Sequence, residues 1–369
     1  MSFDKLINSW YNLSIINLES AYNIDDHTPV TYGPGVFIYL GDNMAKLFST
    51  IEDQIKKLDS RGLDVSDPRV KNVLEMENYY NVINGYKELF IDKAYTGTDE
   101  KYKEGANFNE LYSLYLFDRE LRNIFIKYIL EIENNVKTVI AYDFSSKYGH
   151  DNYLKISNFD IEVKHWERKT AAQKIGDISG LIANIQRDIS RQLSKNNPMI
   201  SHNMLTYGYI PLWVLVNSLT LGTISVFYSY LTQKDQNDVG RKFNLRPDEM
   251  TKILFILTIY RNACAHDERF YNLKALKNDT KPNMIKTNPI HNILDIPKDR
   301  SNNPIYGKND LFAIVIICKL ILKEGSFNKF IDAINSEIDR LSGKLSTIGI
   351  EDVLKEMGFP ANWYDIKDI

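Results

Sequence analysis

Between Tyr260 and Asn272 the chain reads YRNACAHDERFYN, a dense polar run directly after the apolar stretch ILFILTI. Arg261 precedes His266 by five positions, with Asn262 beside the arginine. An imidazole moves a proton near neutral pH. A guanidinium offers a forked cation to an oxyanion, and a neighbouring amide can orient either group. Read alone, the spacing is a weak signal. A solvated arginine and an unrelated histidine at a helix end, where the dipole favours a cation, would give the same letters. The company of Tyr260, Asp267, Glu268, Arg269, Tyr271 and Asn272 argues for a site, because a purely structural helix end does not need it.

Geometry sets a condition on that site. At about 100° per residue, Asn262 and His266 share one helix face, whereas Arg261 points about 140° away from His266. One chain therefore converges these groups poorly. Other chemistries lose support by elimination: the chain contains no GxxxxGK[ST], HExxH, GxSxG or CxxC. Its histidines, at 27, 150, 165, 202, 266 and 291, include no pair four apart, so no metal site and no cofactor is expected.

The elements that must position the run read as helical nearly throughout, with apolar residues at three- and four-residue spacing. Helices are expected over 48–60, capped by Ser49, over 67–90, and over 109–146, where Leu111, Leu114, Leu121, Phe125, Ile129 and Ile132 mark one face. Further helices are expected over 161–195, 210–232, 247–266 and 308–342. The Asn-, Lys- and Pro-rich stretch 272–307 reads as a loop or mobile excursion. Asp118, Arg119 and Arg122 belong to core and interhelical pairing, and Trp213 and Trp363 to packing.

Composition bounds the class. With 369 residues, 44% apolar and 25% charged, the chain can bury a real core. A net charge of −3 means that any nucleic-acid contact must come from local patches. Two cysteines, Cys264 and Cys318, and no export signal at the N-terminus point to the cytoplasm. The uncharged stretch Ile210–Leu231 is long enough to cross a bilayer, but its Pro, Asn, Ser, Thr and Gly content reads as a buried helix, so no membrane is expected.

Several blocks, in order, resemble the Abi family of phage abortive-infection proteins, of the AbiD/AbiF type. They are DQIKKLDSRGL (53–63), NYYNVINGYKELF (78–90), LYSLYLFDRELRNIFIKYILEIENNVKT (111–138), PLW (211–213), GTIS (222–225), RNACAHDERFYN (261–272) and MGFPANW (357–363). The resemblance implies an all-α fold, a HEPN-like helical bundle with additional N- and C-terminal helices. Residues 1–47 would be an N-terminal extension and 48–369 the Abi-like helical domain, with its core at about 109–342.

The resemblance further implies a metal-independent endoribonuclease whose paired arginine and histidine are Arg261 and His266, and a homodimer that brings two such motifs together. The ribose 2′-hydroxyl would attack the adjacent phosphorus and leave a 2′,3′-cyclic phosphate. His266 would move the proton, Arg261 would neutralise the phosphate, and Asn262 would orient His266 or donate to a phosphate oxygen. Tyr260, Arg269 and Tyr271 would orient the centre or stack on a base, and Lys274 and Lys277 would meet the RNA backbone. Basic residues of 164–195 and 269–300 are further candidates for backbone contact. The partners implied are RNA, both as target and as a structured noncoding antitoxin. The rival readings are RNA binding without cleavage and a phage-sensing interaction module.

Overall fold

Thr50, rather than Ser49, opens the first helix, α1 (Ile51–Ser60), because its hydroxyl accepts the Asp53 N–H at 3.2 Å. The computed structural model describes residues 48–164, 167–277, 281–282 and 284–369, and the backbone alone of 277 and 281–282. The expected extension 1–47 lies outside the described residues.

The stretch 67–90 is not one helix. Its first part forms α2 (Arg69–Met76), the chain turns extended at Glu77, and it resumes as a π-turn (Tyr80–Asn84) and a 3-10 turn (Lys87–Leu89). Asn78 explains the break: its side chain accepts the Tyr80 N–H at 2.8 Å and so competes with helical pairing. The next helix, α3 (Phe108–Tyr148), runs unbroken for 41 residues. Asn107 caps it by accepting the Glu110 N–H at 3.0 Å, and Gly149, at φ +89°, ends it.

Local caps also divide the remaining expected helices. A capping box between Thr170 and Gln173 starts α4 (Ala171–Ser194) ten residues later than apolar periodicity suggests. Asn197 then opens α5 (Pro198–Tyr207). The uncharged stretch 210–232 is divided into α6 (Leu212–Leu215) and α7 (Leu221–Ser229), with Thr220 capping the second. No helix among the described residues is long and apolar enough to cross a membrane. After α8 (Gln233–Arg241) comes α9 (Pro247–Ala265), one residue short of its expected end.

The excursion 272–307 carries a two-residue ribbon, β1 (Leu276–Lys277) with β2 (Lys281–Pro282), and the short α10 (Pro289–Ile293). Its described parts on either side of the ribbon are tied down. Ala275 N donates to Asn309 O at 2.7 Å, Ile285 N donates to Lys308 O at 2.9 Å, and His291 is fully buried, its Nε2 2.9 Å from Gly307 O. Extended backbone at Leu322 then separates α11 (Leu311–Ile321) from α12 (Glu324–Ser342), and α13 (Ile350–Met357) follows.

The fold is all-α, built around α3, against which α6, α8, α9 and α12 pack. One buried apolar cluster runs from Leu58 to Ile366. Near its edge, Gly358 takes φ +77° and lies against the Asp310 side chain, so a Cβ there would strain the backbone and collide with the carboxylate. Asp310 caps α11, accepting Gly307 N–H at 3.0 Å and Ala313 N–H at 3.1 Å.

Burial pushes the Asp310 carboxyl up to about 6 from its ordinary 3.8. A carboxyl raised in this way binds its proton more tightly folded than unfolded. Its contribution to stability is therefore present below about pH 4 and is lost as pH rises through about 6. Asp310→Asn keeps an acceptor for the cap without the charge. Urea unfolding at pH 4 and pH 7.5 should find the Asn variant gaining on wild type by roughly 2.5 kcal/mol between the two. A difference that does not change with pH would contradict this account of Asp310.

Candidate active site at the end of helix α9

The apolar face of α9 buries Met250, Ile253, Leu254, Leu257, Tyr260 and Ala263, steps of three and four that turn the intervening residues outward. Arg261 is thereby half-buried, while Asn262 and His266 are exposed. His266 is the last cap of the helix and donates its N–H to Asn262 O at 3.0 Å. Asp267 takes the left-handed conformation at φ +56°, and Glu268 N returns to Ala263 O at 3.2 Å, the Schellman closure of a helix end. The polar run thus begins inside the last turns of α9 and continues past its end.

A non-glycine residue in that conformation needs support, and Arg122 on α3 supplies it. Its Nη2 meets the Asp267 carboxylate and its Nη1 donates to Glu268 O at 2.8 Å. One turn earlier on α3, the fully buried Asp118 accepts Phe270 N at 3.0 Å, Tyr271 N at 2.6 Å and Tyr86 OH at 2.5 Å, and pairs with Arg122 at 2.7 Å. Burial pushes the Asp118 carboxyl up, against the pull of Arg122 and these donors. Tyr86 in turn stacks on Tyr271, and Arg269 Nη1 donates to Gly85 O at 2.9 Å. Every residue from Asp267 to Tyr271 is thus fixed to α3 or to the broken segment before it. The pairing expected of Asp118 and Arg122 is present, as is that of Arg119 with Glu77 at 3.0 Å.

Arg261 meets a second acid of α3. Its Nε lies 3.5 Å from Glu133 Oε2, and Lys137 Nζ lies 2.6 Å from Glu133 Oε1. Glu133 and Lys137 are 4% and 6% exposed, a buried ion pair that the apolar periodicity of α3 did not single out. An (i, i+4) Glu–Lys spacing reads as solvated surface in a sequence.

Two expected contacts are corrected by burial. Tyr260 is 0% exposed, its hydroxyl donating to Leu273 O at 2.6 Å and lying 3.1 Å from Asn309 O, and Tyr271 is 1% exposed beneath Tyr86. Neither ring offers a face to a base; both hold the loop. Arg269 and Lys274 are exposed beside the motif, and the side chain of Lys277 lies outside the described residues. Along 164–195 the basic patch is largely cancelled: Lys164, Lys169, Lys174 and Arg191 pair with Glu162, Asp177, Glu167 and Asp188. Trp363 packs on Phe359 as expected. Trp213 does not pack inward: it is 52% exposed and, with Tyr142, lines a groove of about 500 Å³.

Two further chemistries can be placed. Cys264, inside the motif, has its thiol pushed up to about 12 by burial, which removes it as a nucleophile near neutral pH. Asp143, Asp235 and Asp238 converge as metal ligands would, and Lys147 Nζ sits among them at 2.8, 2.8 and 2.7 Å, so an ammonium occupies the place between the three carboxylates.

The arrangement presents a cationic fork, an exposed imidazole and an amide on a rigidly tethered helix end. Compared with known proteins, the chain matches a family model described as Abi-like protein over residues 72–272, a stretch that runs from α2 through the whole of α3 and α9 and ends at Asn272. No curated protein and no solved structure matches it.

Proposed function

The chain belongs to the Abi-like protein family, and from that premise we propose that it serves phage defence by abortive infection as an RNA-directed toxin. Its activity in this reading is that of a metal-independent, HEPN-type endoribonuclease, with the HEPN-like bundle spanning about 109–342. One observation carries the assignment: Arg261 and His266 flank a helix terminus that Asp118 and Arg122 hold rigid, with the imidazole exposed. Such rigidity serves a site better than it serves a surface turn.

RNA brings its own nucleophile. The 2′-hydroxyl loses its proton and its oxygen bonds to the adjacent phosphorus, the bond to the 5′-oxygen breaks, and that oxygen takes a proton. His266 moves the proton, Arg261 stabilises charge on the phosphorane oxygens, and Asn262 orients the imidazole or donates to a phosphate oxygen. Arg269 and Lys274, exposed beside the motif, would meet the RNA backbone. Arg261 and His266 diverge by about 140° on their helix, so a homodimer would close the site by bringing the partner's motif opposite. A structured noncoding RNA is the partner that would hold such a toxin silent.

Incubation of the protein with copurified or total host RNA should yield 2′,3′-cyclic phosphate ends in excess EDTA, at a rate that depends on pH around neutrality. Strict Mg²⁺ dependence with 5′-phosphate ends would overturn the chemistry assigned to Arg261 and His266. RNA that copurifies uncut would favour a binding protein that uses the same surface.

A further inference from the structure

Arg261 is held in an unusual way. Its Nε and the Glu133 Oε2 that it faces, 3.5 Å apart, are both buried and neither has a hydrogen-bond partner. The two η nitrogens have no partner among the described residues, yet they are not among the buried unpartnered atoms, so they reach solvent. The guanidinium is therefore engaged along its inner edge and free along its outer one. A lone carboxylate in that place would neutralise the arginine. Lys137 changes this, because its ammonium, 2.6 Å from the other carboxylate oxygen, cancels the charge of Glu133. Together the three groups keep one net positive charge, and its exposed part is the terminal fork of Arg261.

We propose that Glu133 and Lys137 are positioning residues for Arg261: the carboxylate fixes its Nε edge, and the ammonium preserves its charge for a doubly accepting oxyanion, the phosphodiester of RNA. The proposal rests on the RNA reading above for the identity of the ligand, but the charge logic belongs to this chain's own residues. A bidentate partner is what the free fork accommodates, since two parallel N–H groups match two phosphate oxygens. Lys137 is nearly buried and does not itself reach a ligand. Its effect acts through Glu133.

The test uses the full-length protein and an RNA oligonucleotide with 2′-O-methyl riboses, which binds but cannot be cleaved. Affinity is measured against salt at low temperature. Lys137→Met leaves Glu133 to neutralise Arg261, so it should weaken binding about 10-fold and lower the slope of log Kd against log salt by about 0.7, the share of one phosphate contact on a single strand, as Arg261→Ala does. In the double variant Glu133→Gln with Lys137→Met, the neutral pair returns the charge to Arg261, and the slope should recover to that of wild type. The slope reports folded, binding-competent molecules, so loss of stability lowers the amplitude without moving it.

A wild-type slope in Lys137→Met, or no recovery in the double variant, would overturn the positioning role while leaving the RNA reading intact. Inorganic phosphate separates the two in the other direction. The Arg261 Nε–H resonance, identified by its loss in Arg261→Lys, should shift on phosphate addition in wild type and not in Lys137→Met. If wild type binds no RNA but shows that difference, the RNA reading falls and the positioning role stands. If phosphate shifts the signal equally in both proteins, the positioning role falls.

Discussion

Replacing Arg122 by methionine is expected to cost roughly 3–5 kcal/mol of stability and to abolish activity, the larger of the two losses that single substitutions at this site should produce. Three consequences combine. Asp118, fully buried, loses the one cationic partner it has among the described residues. Glu268 O loses its donor, and Asp267 loses the contact that supports its left-handed backbone. The sign with pH follows from the direction in which burial moves Asp118. A carboxyl already pushed up is pushed further when Arg122 is gone, so the folded variant binds a proton that the unfolded chain releases. The penalty should therefore be greater at pH 8 than at pH 5, as read from denaturant midpoints at both values. An Arg122→Met protein with wild-type stability at pH 8 would show that the loop after His266 is held by something other than this pair.

The helical class was legible because apolar spacing alone decides it, and α3 and α9 were found almost to the residue. What periodicity could not find was where helices divide. Asn78, Thr170 and Thr220 interrupt or restart the chain through single side-chain bonds to backbone N–H groups, and these compete with a helix whose apolar pattern continues across them. The break after Glu77 matters most, since it is what delivers Tyr86 to Asp118 and Gly85 to Arg269.

The run Tyr260–Asn272 stands out in the sequence, but the burial and pairing of the residues around it do not. Beside a polar run, Tyr260 and Tyr271 read as residues that orient the centre or stack on a base; burial of both rings, with the Tyr260 hydroxyl on Leu273 O, removes the stacking alternative. Trp213 misled in the opposite sense: apolar neighbours in sequence suggested packing, whereas α6 is too short to turn every apolar side chain inward. Glu133 and Lys137 were invisible for a different reason. Their spacing is that of a surface pair, and it is the packing of other helices on α3, with Arg261 of α9 against Glu133, that takes them out of solvent.

The sharpest consequence of that geometry is a complementation experiment. Arg261→Ala and His266→Ala should each lower cleavage by at least 10³-fold, since one removes charge stabilisation and the other the proton carrier. Both should unfold within a few degrees of wild type, because Arg261 makes one imperfect polar contact among the described residues and His266 is exposed. If each site takes Arg261 from one protomer and His266 from the other, dissociating and reassociating an equal mixture of the two variants gives mixed dimers as about half the population. Each mixed dimer holds one site with both groups intact and one with neither. About a quarter of wild-type activity should return, and neither variant alone should show it. If both groups act within one chain, every site in the mixture still lacks one of them and no activity returns. Restoration would place the reacting phosphate between two chains, which is where an arginine leaning toward α3 and a histidine at the open end of α9 most directly put it.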